Sequence, residues 1–297
     1  MEYTKKPLSV QEQITILQRR GLIISDTIQA TRHLKLISYF RLANYWKPME
    51  ADKINHDFKA GSSFENALSL YYFDKELRAL VFTAIQSCEI AFRTQMIHHV
   101  SMAYGAFWFA DSKIVKSQSL YHANIQTVEK ELGRTKEDFI KEHYEKYALP
   151  AYPPAWKTLE VLSFGTVSKL YSNLDDNKLK KQIARSFLLP QHLYLESWIK
   201  TLAILRNYCA HHARLWNRLI PIPPQIPKSL PESWIDNQKI NPYKLYATLC
   251  CLQYLLNTIY PDNGFGEQLR AVLSKYPNVD TRAMGFPVKW DAEIIWK

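Results

Sequence analysis

The sequence predicts an all-α protein, and three observations carry that reading. Apolar residues recur at three- and four-residue intervals along most of the 297 residues, and capping-box spacings stand before two of these stretches. Strand alternation is confined to one short candidate near Phe286 to Trp290. Only 8 Gly stand against 8 Trp, 18 Tyr and 13 Phe, so the chain has the bulk for one large core or two modest ones, and is neither disordered nor collagen-like.

Ser9 and Glu12 have the capping-box spacing, Val10, Ile14 and Leu17 follow at helical intervals, and Arg19-Arg20-Gly21 supplies a cationic last turn and a stop. This predicts a helix over 10–20. Asp26 is placed to cap a second helix ending near Trp46-Lys47-Pro48, with Ile28, Leu34, Ile37 and Phe40 apolar and Arg32, Lys35 and Arg41 basic. After the loop 55–61, Ser62 and Glu65 repeat the capping spacing, and a 3.6-residue pattern from Leu68 to Tyr104-Gly105 predicts one very long helix or two nearly collinear ones. Charged helices are expected over 117–132 and 135–147 before Pro150, Pro153 and Pro154 break the chain. Helical patterns resume over 156–172, 176–187 and 191–216. Pro221-Ile-Pro223-Pro224-Gln-Ile-Pro227 reads as an extended connector, followed by an apolar helix over 243–259. The expected organisation is an N-terminal helical layer (1–60), a helical core (61–260) and a short C-terminal extension (261–297). No repeat or Gly/Ser linker separates the three, so one domain can hold them all.

Lys+Arg 38 against Asp+Glu 28 leaves a net charge of +10 spread along the chain, which suits a partner that carries phosphates. Cys88, Cys209, Cys250 and Cys251 form no C-x-x-C pair, a spacing that fits neither a zinc site nor a disulfide framework and points to a reducing cytoplasm. No apolar h-region follows the N-terminal lysines, and nowhere do about eighteen apolar residues run together, so neither secretion nor membrane spanning is expected. Phosphate-loop, dinucleotide, zincin and hydrolase-elbow motifs are all missing. The pairs His98-His99 and His211-His212 are adjacent on helices, where neighbours point about 100° apart and rarely share a metal. No metal and no cofactor is expected.

The helix over 191–216 carries the chemistry. Leu195, Trp198, Leu202, Leu205, Cys209, His212 and Trp216 fall on one stripe, which is expected to be core, with His212 read as a packed, supporting histidine in preference to a second catalytic base. Ala203, Arg206, Asn207, Ala210, His211 and Arg214 occupy the other side, where the two alanines open a shallow lane. Arg206 and His211 are five residues apart, about 140° around and about 7.5 Å along an ideal helix, too far to grip one phosphate alone. Two copies related by a twofold can place two Arg-His sets around one cleft.

The string Leu205-RNYCAHHARLWNR-Leu219 resembles abortive-infection proteins of the Abi-D/Abi-F type, and its Arg206-x4-His211 core, with polar Asn207 after the Arg, resembles the R-x4-H signature of HEPN ribonucleases. The resemblance covers about residues 5–219. It includes Lys6-Pro7-Leu8-Ser9, Gln13 and Arg20-Gly21-Leu22; Ser38 to Trp46; Leu70-Tyr71 and Phe73 to Arg78; Glu89-x-x-x-Arg93-Thr94; and Pro154-x-Trp156 with Glu160 to Gly165. It implies a HEPN-like helical bundle and a cytoplasmic bacterial toxin of phage defence that cuts RNA without a metal. The residue types suit that chemistry: an imidazole at His211 can move the proton of a ribose 2′-OH, and Arg206 can donate two hydrogen bonds to phosphate oxygens. DNA, lacking the 2′-OH, is then inert.

Asn207 is expected to orient the imidazole or touch phosphate, and Arg214 to contact phosphate or stand solvated. Glu89 and Arg93 have the order of a helix ion pair. The resemblance adds a second role, in which Glu89 holds Arg206. Arg41, Tyr45 and Trp46 interleave charge and aromatic rings, either as a clamp for single-stranded RNA or as core. A toxin implies a restraining antitoxin, either a small structured RNA or a protein, and the expected assembly is a homodimer. The competing reading is a non-catalytic RNA-binding or interaction module. A toxin silenced by nucleotidylation of a Tyr two places after the motif His is disfavoured, because Ala213 stands there.

Overall fold

A computed structural model describes residues 2, 4, 6–236 and 239–297, so residues 1, 3 and 5 of the N-terminal segment read above as lacking an apolar run lie outside the described residues. Twelve α-helices are found among the described residues, with three isolated bridges in place of any sheet. The segment 286–290 forms turns, not the expected strand, because Met284 and Phe286 are buried by a 3₁₀ turn and not by alternation.

The chain divides into two compact units, residues 1–77 with 271–279, and residues 78–270 with 280–297. Neither division falls at 60/61 or 260/261. The first unit holds α1 (Val10–Arg19), α2 (Thr27–Ile37), α3 (Tyr39–Trp46) and residues 64–77 of α4 (Phe64–Tyr104). The capping box of α1 is formed as the spacing predicts: Glu12 N–H donates to Ser9 Oγ at 3.3 Å, and Ser9 N–H donates to Glu12 Oε2 at 2.7 Å. Asp26 caps α2 through Gln29 N–H at 2.9 Å.

The expected single helix from Asp26 to Trp46 breaks at Ser38. There φ is 73°, and the hydroxyl accepts from Arg41 N–H at 3.4 Å, so a side chain that competes with the helix ladder ends α2 and starts α3. The kink exposes Phe40 and leaves Ile28 exposed too, while Leu34, Leu42, Tyr45 and Trp46 form the core with Ile14, Leu17 and Phe64. Ser63, not Ser62, caps α4: Asn66 N–H reaches Ser63 Oγ at 3.1 Å, while the buried Ser62 hydroxyl turns to Met49 O and Glu65 turns to Ser25 N–H. α4 runs unbroken for 41 residues.

The second unit continues with α5 (Gln118–Arg134), α6 (Asp138–Lys146), α7 (Ala155–Val161), α8 (Phe164–Asn173), α9 (Asn177–Arg185), α10 (His192–Ala210), α11 (Leu245–Ile259) and the first part of α12 (Phe265–Lys275). The pattern over 156–172 is two helices, because Ser163 caps α8 and is itself held by Glu131, which accepts from Ser163 N–H at 2.7 Å. α10 packs on α8, α9 and α11. Lys180 on α9 is wholly buried against it, with Nζ 2.5 Å from Glu196 Oε2 and 4.8 Å from the Tyr171 ring. The proline-rich connector is not helical, as expected, and α10 satisfies part of its backbone: Trp198 Nε1 donates to Gln225 O at 2.7 Å, and Thr201 Oγ1 to Ile222 O at 2.9 Å. α10 is thereby held along much of its length.

Candidate active site

On α10 the stripe Leu195, Trp198, Leu202, Leu205 and Cys209 is buried as the periodicity predicts. The helix ends at Ala210, six residues earlier than expected, which changes the placement of His212 and Trp216. His212 does not pack in the core but is exposed, with φ 54°. Trp216 is buried, yet from a loop, where its Nε1 donates to Asp280 O. Ala203 is buried, so the expected small-residue lane reduces to the exposed Ala210.

The end of α10 is a Schellman turn. His211 is the C-cap, His212 N–H donates to Cys209 O at 3.1 Å, and Ala213 N–H donates to Tyr208 O at 2.8 Å. His212 holds the left-handed position that usually takes glycine.

Glu89 and Arg93 sit one turn apart on α4 and are both buried. Arg93 Nη2 donates to Glu89 Oε1 at 2.7 Å, and its Nη1 donates to Leu159 O and Glu160 O at the end of α7. The other oxygen of Glu89 faces Arg206, with Oε2 3.6 Å from Nε. Glu89 thus pairs with Arg93 as the i, i+4 order predicts, and its second oxygen lies beside Arg206 without a hydrogen bond to it. The Arg206 guanidinium also lies 6.0 Å over the Phe82 ring. Its side chain is 31% exposed, and its buried Nε has no hydrogen-bond partner among the described residues.

Arg206 opens into a cleft of about 430 Å³. Glu89, Arg93, Glu131, Arg134 and Glu160 also line it; Glu160 falls in a segment of the family resemblance, whereas no sequence motif singles out Glu131 or Arg134. The last three come from α5 and α7, and no local spacing signals that helices so far apart in sequence converge on α10. His211 does not line this cleft; Asn207, His211 and His212 stand exposed at the end of α10, and Arg214 is half-buried beyond it. The Arg218 guanidinium stacks 4.4 Å over the Tyr208 ring and its Nε donates to Arg214 O, which ties the segment after the turn back to α10.

Arg41 is exposed on α3 in the first unit, whereas Tyr45 and Trp46 are both 2% exposed and cannot stack on a base, because their rings are buried in the core. Tyr45 donates instead to buried Asp74 at 2.8 Å. All four cysteines are buried thiols. Among the described residues no group of three His, Cys, Asp or Glu side chains is arranged to hold a metal, and no helix is long and apolar enough to cross a membrane.

The site is thus a buried carboxylate beside a partly exposed arginine on an all-α frame. A family model described as Abi-like protein matches residues 32–217, which is more than half of the chain and includes Glu89, Arg93, Arg206, Asn207 and His211. The chain belongs to the Abi-like protein family, and this membership links it to abortive infection and phage defence. No curated protein and no solved structure matches it.

Proposed function

We propose that the chain is a HEPN-type endoribonuclease toxin of abortive infection, cutting RNA by attack of a ribose 2′-OH on the adjacent phosphate. The observation that carries this reading is the Glu89 bridge. One carboxylate is fixed by Arg93 and lies 3.6 Å from the Nε edge of Arg206, and in this reading the Nη pair binds two phosphate oxygens. Phosphate bound there gains a developing charge that the guanidinium stabilises.

In the proposed step the His211 imidazole takes the 2′-OH proton as the 2′-oxygen bonds to phosphorus. The bond from phosphorus to the 5′-oxygen breaks, and that oxygen receives a proton from an imidazolium. The products are a 2′,3′-cyclic phosphate and a 5′-OH. Arg206 lines the cleft and His211 does not, which favours a site completed by a second copy of the chain, as in a twofold homodimer. Asn207, exposed one turn before His211, orients the imidazole or touches phosphate, and Arg214 supports the turn.

The experiment is cleavage of RNA in EDTA, followed by analysis of the product ends. We expect cyclic phosphate and 5′-OH ends, no dependence on magnesium or manganese, and intact DNA of the same sequence. A metal requirement, or equal cutting of DNA, would overturn the mechanism.

A further inference from the structure

The first unit holds a cleft of about 590 Å³ that has no part in the proposed cleavage, and this volume is in the range that takes a small organic ligand. Cations reach it from three segments: Lys6 from the arm before α1, Arg20 from the C-cap of α1, and Lys47 from the turn after α3. Among the described residues none of the three forms an ion pair with a carboxylate. Arg20 Nη1 donates to the Tyr39 hydroxyl at 3.4 Å, which orients the guanidinium without neutralising it. The acid in the wall, Glu50, is already engaged, with Oε2 3.0 Å from His56 Nδ1 and its side chain 7% exposed. Net positive charge around an open cleft selects a ligand that carries phosphate.

The aromatic groups divide into two roles. Tyr39 and Trp46 pack edge to face at 5.0 Å, with Trp46 buried, and form the back wall. Phe40 also lines the cleft but is 82% exposed, and no ring among the described residues pairs with it. A phenyl ring bared to water beside three cations is the combination that a nucleic-acid strand satisfies, with a base on the ring and phosphates on the cations.

We infer that this cleft binds a single-stranded polynucleotide, with a base stacked on Phe40 and backbone phosphates on Lys6, Arg20 and Lys47. RNA and DNA share this chemistry, so both are probes. The test is fluorescence anisotropy of labelled 12-nucleotide RNA and DNA with the full chain carrying His211→Ala, which keeps the RNA intact if the proposed cleavage is correct. The binding readout does not depend on that proposal.

Phe40→Ala should weaken binding of whichever strand binds by about tenfold. Lys47→Gln should reduce the slope of log affinity against log salt by about 0.7. Both side chains are exposed, so the helical circular dichroism should not change. Phe40→Leu, which keeps apolar bulk without a π face, should show the same loss and guards against a folding defect in Phe40→Ala. Tighter RNA than DNA binding would assign the strand as RNA, and the reverse would assign it as DNA, either result supporting the inference. Unchanged affinity in both Phe40 variants, or 5′-UMP displacing the 12-mer at equal concentration, would overturn it. Failure here leaves the cleavage proposal standing, and loss of cleavage in EDTA leaves this one standing.

Discussion

His211→Ala should lower RNA cleavage by roughly 10²–10⁴-fold, the range that a positioned proton-transfer group supplies. Arg206→Ala should cost about 10²–10³-fold, as removal of a preorganised donor to developing charge does. Both chains should fold, because His211 is exposed at a C-cap whose turn is held by backbone hydrogen bonds, and Arg206 contributes one long ion pair at 3.6 Å. Growth arrest on expression of the intact chain should therefore disappear in each variant, with unchanged circular dichroism. Mixing the two inactive chains adds a sharper reading. A site that takes Arg206 from one copy and His211 from the other regains activity in a mixed dimer, whereas a site built within one chain does not. Arrest that persists in both single variants would sink the catalytic assignment.

Glu89→Ala should destabilise the second unit by about 3–5 kcal/mol, the cost of leaving a buried charge without its partner. The side chains of Glu89 and Arg93 are 12% and 9% exposed, and removing the carboxylate strands Arg93 as well as releasing Arg206. Roughly 2–4 °C of melting temperature per kcal/mol applies to a unit of this size, so a drop of about 10 °C is expected in a thermal scan. Glu89→Gln keeps the shape and an acceptor but loses the charge, so it should melt closer to the parent yet cleave poorly, which separates the structural part of the role from the positioning part. A Glu89→Ala chain that melts within about 1 °C of the parent would show that the bridge holds nothing.

Local chemistry is legible in the residue spacings alone. The Ser9/Glu12 box, the Asp26 cap, the long α4, the non-helical proline segment and the buried stripe on α10 all follow from local sequence, and all are present. So is the pairing of Glu89 with Arg93, because i, i+4 neighbours on a helix meet wherever the helix sits. What the spacing does not decide is where helices stop. Ser38, Ser163 and His211 end or start helices through hydroxyl caps and a left-handed turn that compete with periodicity, and so periodicity alone misplaces His212 and Trp216.

Only the tertiary structure decides which of the polar groups meet. Glu89 and Arg206 are separated by 117 positions, and Glu131, Arg134 and Glu160 enter the same cleft from two other helices. The same holds in the first unit, where Tyr45 and Trp46 turn inward and Phe40, on the opposite side of α3, is left bare beside three cations. A single sequence records the period of each helix and hence its faces. Which face is covered depends on packing against segments remote in the chain, and burial is the term that decides it.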